Sequence, residues 1–232
     1  KPQAYLLKAM FTDKPVVHIG VAGGKEEAMT WNGVTFGGDK VTWHWNRTPG
    51  KHYTIYTYTN AEEVELRLNG KSLGVKRNSS DPQRRDKIRW DGIAYEPGTL
   101  LAIARNGGKE VARHEIATAG PLKRLSLIPD NETWKADGQD LMHIRVLGLD
   151  AKGRRTPLAN DTLTIRVSGP AELVATDNGD IAGNAISTDP TTSLCQGNLL
   201  VILRADTKPG KVRMELVDKA GRVRGKCTVE TK

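Results

Sequence analysis

Residues 58–76 read YTNAEEVELRLNGKSLGVK, and this stretch decides the fold. Glu63, Glu65 and Arg67 alternate with Val64, Leu66 and Leu68, the period of two that marks a strand with one wet and one buried face. On this reading Glu63 and Glu65 share a solvent face, where both are simply ionised. Asn69-Gly70 follows at once. Both residues tolerate positive φ, so the dipeptide favours the tight hairpin turn whose twist matches its flanking strands. The chain then returns over Lys71 to Val75. An antiparallel, half-exposed sheet is the consequence.

Working outward, segments of strand length and composition recur: Val16–Ile19, Val41–Trp45, Tyr53–Thr59, Val64–Leu68, Ser72–Val75, Ile88–Tyr95, Leu100–Arg105 and Lys109–Ala117. Gly23-Gly24, Gly37-Gly38, Pro49-Gly50, Asn69-Gly70, Pro97-Gly98 and Asn106-Gly107-Gly108 supply turns. The spacing predicts an antiparallel sandwich over residues 16–119. Thr118-Ala119-Gly120-Pro121 marks a boundary, and the rhythm restarts beyond it. Leu122–Ile128, Leu141–Leu149, Thr162–Val167, Glu172–Thr176, Leu199–Ala205, Lys211–Val217 and Arg222–Glu230 predict a second, immunoglobulin-like sandwich over residues 120–232. The polar passage from Asp177 to Thr192 reads as a loop crossing between its sheets. Fold class is therefore all-β, two antiparallel sandwiches. Residues 1–15 differ. Ala4 to Phe11 is rich in helix formers and apolar on most sides, Pro2 suits a first helical turn, and Thr12-Asp13-Lys14-Pro15 stops it. So apolar a helix should pack against something, and a domain outside this chain is one choice.

The chain of 232 residues is long enough for two domains, and its 38% apolar content suits sheets with one solvated face. No apolar run approaches the roughly 18 residues of a membrane helix. The opening Lys1-Pro2-Gln3 shows neither an initiator Met nor a signal-peptide pattern, and reads as internal to a longer polypeptide. A net charge of +8 raises nucleic acid as a partner. The basic residues are scattered, however, and the dense Arg84-Arg85-Asp86-Lys87-Ile88-Arg89 contains its own acid. No nucleic-acid-binding motif accompanies it, so a solubilising surface is expected. Cys195 and Cys227 exclude a disulfide framework. They pair if adjacent strands bring them together; otherwise they are two separately buried thiols.

Each candidate chemistry has a plainer competitor. His18, His44, His52, His114 and His143 lie far apart on expected strands, without the local spacing of a zinc site. No serine sits in a nucleophile elbow, and no phosphate-binding glycine loop opens a helix. A glycosidase needs two carboxylates about 5–9 Å apart on a rigid scaffold; Asn131-Glu132 is a lone pair in a loop and serves as a surface turn. Asp177-Asn178-Gly179-Asp180 offers oxygens to calcium but lacks the remaining spaced acids of a calcium loop. The best binding candidates are aromatic. Trp43-His44-Trp45 puts two indoles at i and i+2, hence on one strand face, with Trp31, Tyr53, Tyr56 and Tyr58 near in sequence. Exposed, such a pair stacks on carbohydrate rings; buried, it is core or domain-interface packing, the preferred reading.

Four stretches carry a family resemblance: KPQAYLLKAMFTDKPVVHI with the Trp-His-Trp segment, the hairpin text above, YEPGTLLAIARNGGKEVA, and LIPDNETWKADGQDLMHIRVLGLDAKGR followed by VSGPAELVATDNGD. Together they resemble the region after the catalytic barrel of family 2 glycoside hydrolases, in particular the multidomain β-galactosidase-like enzymes of gut Bacteroides-type bacteria. The resemblance implies a parent that is a retaining glycosidase, with two glutamates on a (β/α)8 barrel, one of them preceded by Asn. Asn131-Glu132 lies in the second sandwich and is not carried over as that residue, so no catalytic residue is assigned here. It further implies a non-catalytic C-terminal piece without cofactor or metal, whose main partner is the catalytic barrel, with residues 1–15 as that barrel's exit. Trp43 and Trp45 would then contact the substrate entrance or a dimer partner. A periplasmic or cell-surface location in a Gram-negative gut bacterium goes with it. A freestanding carbohydrate-binding or adhesion module is the alternative.

Overall fold

The computed structural model describes residues 2–25, 29–31, 34–36, 39–82, 84–180, 183 and 185–232. Two units result, Lys1–Thr118 and Ala119–Lys232. The first holds helix α1 (Ala4–Met10) and strands β1 (Val17–Lys25), β2 (Met29–Trp31), β3 (Val34–Phe36), β4 (Asp39–Thr42), β5 (His52–Thr59), β6 (Glu63–Leu68), β7 (Lys71–Arg77), β8 (Lys87–Ala94), β9 (Thr99–Asn106) and β10 (Lys109–Ala117). They form two four-stranded sheets, in the orders β4-β1-β5-β8 and β10-β9-β6-β7, plus the short β2-β3 ladder. Every ladder among them is antiparallel. Val17, Ile19, Val21 and Ile55 from one sheet meet Val64, Leu66, Leu100 and Ala102 from the other in a shared core. Burying each of the large aliphatic side chains stabilises the fold by about 1.5–3 kcal/mol.

The deciding hairpin forms as read. Asn69 and Gly70 both take positive φ, 51° and 82°, the backbone a primed two-residue turn requires. The Asn69 side chain also holds the next loop: Oδ1 accepts from Thr99 N at 2.9 Å, and Nδ2 donates to Pro97 O at 3.3 Å. A Cβ on Gly98 would lie 1.8 Å from that Oδ1, so this position admits only glycine.

Three expectations need correction. Gly23-Gly24 is not a turn; β1 runs through it, and the register shifts between Ala22 and Lys25, as at a bulge. Glu65 is not on a solvent face: it is buried, accepting from Arg67 Nε and Arg105 Nη2, each at 2.8 Å. Strand alternation was obeyed, but two arginines close over that face. The strand expected over Val41–Trp45 ends at Thr42. Gly37-Gly38 lies outside the described residues.

The second unit holds β11 (Arg124–Pro129), β12 (Leu141–Leu149), β13 (Thr162–Ser168), β14 (Ala171–Asp177), β15 (Thr191–Ser193), β16 (Asn198–Ala205), β17 (Gly210–Val217) and β18 (Val223–Thr231). Sheets run β11-β12-β16-β14 and β15-β13-β17-β18. The polar passage after β14 does cross from one sheet to the other, ending in β15. Ile144, Val146, Val201 and Leu203 face Leu163, Ile165, Val212 and Met214 around Trp134. Both units are thus antiparallel β-sandwiches, the expected fold class. Cys195 and Cys227 are both half-buried thiols. Burial pushes the Cys227 thiol up.

Candidate functional site

The Trp43–Arg47 segment follows β4, and its arginine explains why the strand stops. Arg47 turns back over the strand end, donating from Nη2 to Val21 O at 3.3 Å and to Thr42 Oγ1, and from Nη1 to Asn46 O at 2.9 Å. With the strand ended, the alternation that would place two indoles side by side no longer applies. Trp45 drops into the core, fully buried, and its Nε1 donates to Glu96 O at 3.0 Å. Tyr95 and Tyr53 pack edge-on against it, ring centroids 5.1 and 6.3 Å away. Trp43 remains half-buried, edge-on to His44 at 5.5 Å. The two tryptophans therefore do not form one flat platform.

Around them sit His44 and Tyr53, named from the sequence, and Arg47 and Tyr95, which sequence reading did not single out. Arg47 lies over the Tyr53 ring at 5.6 Å and contacts the His44 ring through Nη1 at 3.0 Å. Burial, then the neighbouring Arg47 charge, lower His44 to about 4, so its ring is neutral. Arg47 Nε is buried without an acceptor. Among the described residues its hydrogen-bond partners are all neutral, and the four Nη hydrogens are already engaged. The local cue was the short spacing Trp-His-Trp-Asn-Arg; Tyr53 was already grouped with the tryptophans, whereas Tyr95 was not legible as a partner.

Two histidines expected to stay apart meet. His18 on β1 and His114 on β10 have ring centroids 3.9 Å apart, and Tyr5 of α1 stacks on the other face of His18 at 3.6 Å. His114 Nδ1 accepts from Ile19 N at 3.0 Å, covering a stretch of β1 edge that β4 leaves open. Burial, then the His114 charge, lower His18 to about 3; burial alone lowers His114. Among the described residues no three His, Cys, Asp or Glu side chains gather as a metal site would need. Asp177 and Asn178 instead cap their own turn, accepting from Gly179 N and Asp180 N.

The carboxylates sort by burial. Glu65 is pulled down to about 2 by the Arg67 and then the Arg105 hydrogen bonds. Asp150 is fully buried; burial pushes its carboxyl up, but bonds from Gly120 N, Arg154 and Lys152 N outweigh this and hold it well below the carboxylate range. Asp86 exchanges hydrogen bonds with Asn78. Asp130, Glu132 and Glu230 line an open groove in the second unit, and all are exposed. Asp130 is engaged by His143 Nδ1 at 3.0 Å. Asn131-Glu132 is thus a surface loop, as read. General acid–base chemistry on a glycoside needs environments that drive two facing carboxyls apart in pKa; the buried acids here each face arginine or backbone N–H groups.

The class that the fold defines is an all-β chain built of antiparallel β-sandwich modules. Residues 125–226 match glycoside hydrolase family 2 C-terminal domain 5, and residues 50–112 match a domain of unknown function, DUF4982. The chain belongs to the C-terminal region of glycoside hydrolase family 2. It is 36% identical over 90% of its length to the beta-galactosidase BoGH2A of Bacteroides ovatus, of which it spans 22%. A beta-glucuronidase of Formosa agariphila is 31% identical over 74% of this chain, which spans 15% of that enzyme. The crystal structure of a glycosyl hydrolase family 2 member from Bacteroides cellulosilyticus superposes on the whole chain with a TM-score of 0.90 at 29% identity, this chain spanning 30% of it. The chain therefore covers less than a third of these relatives, two of which bear different sugar names.

Proposed function

We propose that this chain is the non-catalytic C-terminal accessory region of a family 2 glycoside hydrolase, a retaining enzyme acting on terminal β-galactosides. Its role is to support the catalytic barrel, with the half-buried Trp43 at a substrate entrance or subunit contact. The domain division that goes with this reading is 1–15 as the barrel-exit helix, 16–119 as the first sandwich and 120–232 as the second. One observation carries it: the chain aligns with the β-galactosidase over nine-tenths of its own length but only 22% of that enzyme's. The satisfied state of Glu65 and Asp150 supports the non-catalytic part, since neither has a proton-transfer role open to it. A periplasmic or cell-surface location is part of the same reading, supported by the Bacteroides source of the relatives. The adhesion-module alternative needs paired exposed indoles, and Trp45 is buried.

The test has two halves. Assaying the 232-residue chain on a chromogenic β-galactoside should give no hydrolysis above buffer. Sequencing upstream of Lys1 should reveal a (β/α)8 barrel with two glutamates. Hydrolysis by the chain alone would sink the accessory reading, and a signal peptide immediately upstream would make it a freestanding module.

A further inference from the structure

α1 is a seven-residue helix that touches the first unit along one side only. Pro2 and Ala9 are buried there and Leu6 is half-buried, whereas Leu7, Met10 and Phe11 on the far side are 58%, 42% and 82% exposed. The side chain that seats the helix is Tyr5, whose ring lies 4° from parallel over His18 of β1. His114 of β10 covers the opposite face of His18, so three rings run in a row from the helix into the unit. Ile19 N donates to His114 Nδ1 at 3.0 Å. A backbone N–H can only donate, so that nitrogen has to stay unprotonated for the bond to exist. A proton there sets two donors against each other and leaves Ile19 N without an acceptor.

The surroundings make no allowance for charge on these rings. His18 is 9% exposed, and it faces Tyr5 and Lys8 of α1, its register partner Tyr58 on β5, His114, and the amino end of the chain. His114 lies opposite Ala102 on β9, and strand alternation turns its neighbours Arg113 and Glu115 to the other face. Among the described residues no carboxylate lies within 4 Å of either ring; His143 is the one histidine so placed. The Tyr5 face by itself favours a cation, but burial and the second imidazole oppose it, burial being the larger effect.

Acid can therefore enter the pair only by opening it, and α1 is the part that opens most easily. Freeing the rings from the other side means breaking the ladder between β9 and β10, which holds eight residue pairs. Lifting α1 breaks one ring stack and a few apolar contacts. The link behind the helix stays clipped, because Asn60 accepts from Val16 N at 2.8 Å and donates to Thr12 O at 2.9 Å and Lys14 O at 3.0 Å. We infer that the Tyr5–His18–His114 row is an acid-released latch: protonation of the two imidazoles lifts α1 off the first unit about a hinge at Thr12, while the sandwich beneath it stays folded. The inference goes beyond the accessory reading and holds whatever reaction the parent catalyses.

Hydrogen exchange in the 232-residue chain, corrected for the pH dependence of free amides, tests it. Below pH 6.5, protection of the Lys8 to Phe11 amides and of Ile19 N–H should fall by more than about tenfold per pH unit, each histidine that takes up a proton contributing a factor of about ten. His18→Phe keeps a flat ring under Tyr5 and should remove one such factor. His114→Asn keeps an acceptor for Ile19 N but does not titrate, and should remove the other. Amides of β6 and β9 should stay at least about a hundredfold better protected over the same range. Equal slopes in the native chain and both variants overturn the inference. So does an equal loss of protection in α1, β6 and β9, which is unfolding of the unit and not release of its helix. Tyr5→Ala keeps the test open if the histidine variants fail to fold: with the latch removed, the His18 ring should titrate at least about one pH unit higher by imidazole chemical shift, and an unmoved titration overturns the latch.

Discussion

Each unit holds a fully buried tryptophan whose indole N–H is tied to a backbone carbonyl, Trp45 to Glu96 and Trp134 to Asp140, both at 3.0 Å, yet the surroundings differ. Trp45 sits among Tyr53, Tyr95 and Trp90, in a unit that also buries His18, His44, Glu65 and Asp86. Trp134 sits among leucines, isoleucines and the thioethers of Met142 and Met214, and the one buried charged residue among that unit's described residues is Asp150. One architecture is thus filled in two ways. The second core is filled mainly by apolar side chains, whose transfer free energy is directionless and insensitive to pH. The first adds polar groups that are costly unless every partner stays in place, and it carries the apolar outer helix. Geometry-demanding polar networks belong where a surface has to be held in one shape, and unit one is where the candidate contacts lie.

The largest break in this comparison should come from the tryptophans. Trp45→Ala and Trp134→Ala each remove a filled volume and orphan a carbonyl, and each should cost about 3–5 kcal/mol. Hydrogen exchange distinguishes them: Trp45→Ala should strip protection from β1, β6 and β9, Trp134→Ala from β12, β16 and β17. Loss of protection spread evenly over both units after either change would mean that the cores are not separate.

Legibility divides along the same line. Strand positions were readable wherever a local rule governs, as in β10 and β12, whose observed limits coincide with those expected. What failed depended on partners distant in sequence. Glu65 is covered by an arginine 40 residues on, and His18 meets His114 across the two sheets because α1 and β10 cover its strand. The candidate site was half legible: Trp43 and Trp45 were found by composition, but Arg47 decides where β4 ends, and only the fold shows its reach back to Val21. The short strands β2, β3 and β15, three residues each, are too brief for a periodicity to announce.

A smaller but sharper contrast lies in the buried carboxylates. Asp150 accepts from Lys152 N and Arg154 N through Oδ1, and from Gly120 N and the Arg154 guanidinium through Oδ2, all at 2.7–2.9 Å. Asp150→Asn puts an NH2 against those donors and should cost on the order of 2–3 kcal/mol by urea unfolding. Glu65→Gln should cost less, about 1 kcal/mol, because Arg67 and Arg105 are partly solvated and regain water. Equal losses would mean that backbone donors add nothing to a buried acid.

Acid should separate the units next. His18 and His44 are held neutral, lowered from 6.5 to about 3 and about 4, so between those limits the unfolded chain binds protons that the folded one refuses. Their contribution is therefore complete above pH 6.5 and is lost as pH falls toward 3–4. The second unit buries no histidine among its described residues; its His143 is half-buried, with Nδ1 3.0 Å from Asp130. Exchange protection in unit one should thus fall between pH 6.5 and 4.5, above the range where Glu65 titrates, while that of unit two holds. His18→Phe keeps the stack and should flatten the slope. A native-like slope in that variant would place the proton uptake elsewhere.

The smallest expected effect concerns the turns, where the two units agree. In each, an Asn or Asp side chain holds the connection together: Asn69 reaches Pro97 and Thr99, and Asp150 reaches Lys152 and Arg154. A glycine with positive φ, Gly70 at 82° and Gly153 at 78°, completes the bend. Nothing lies within 4 Å of a Cβ added at Gly70, and only Arg124 Nη2, at 3.6 Å, near one at Gly153. Alanine at either position is thus penalised by backbone conformation rather than by collision, and each should lose about 1 kcal/mol. Equal losses, measured by denaturant midpoint at constant slope, would show that the deciding hairpin is stabilised by the same local term as a turn in the plainer unit. A distinctly larger loss at Gly70 would mean that shifting Asn69 also releases the loop at Pro97, so that this hairpin's register depends on a contact its own 19-residue text does not contain.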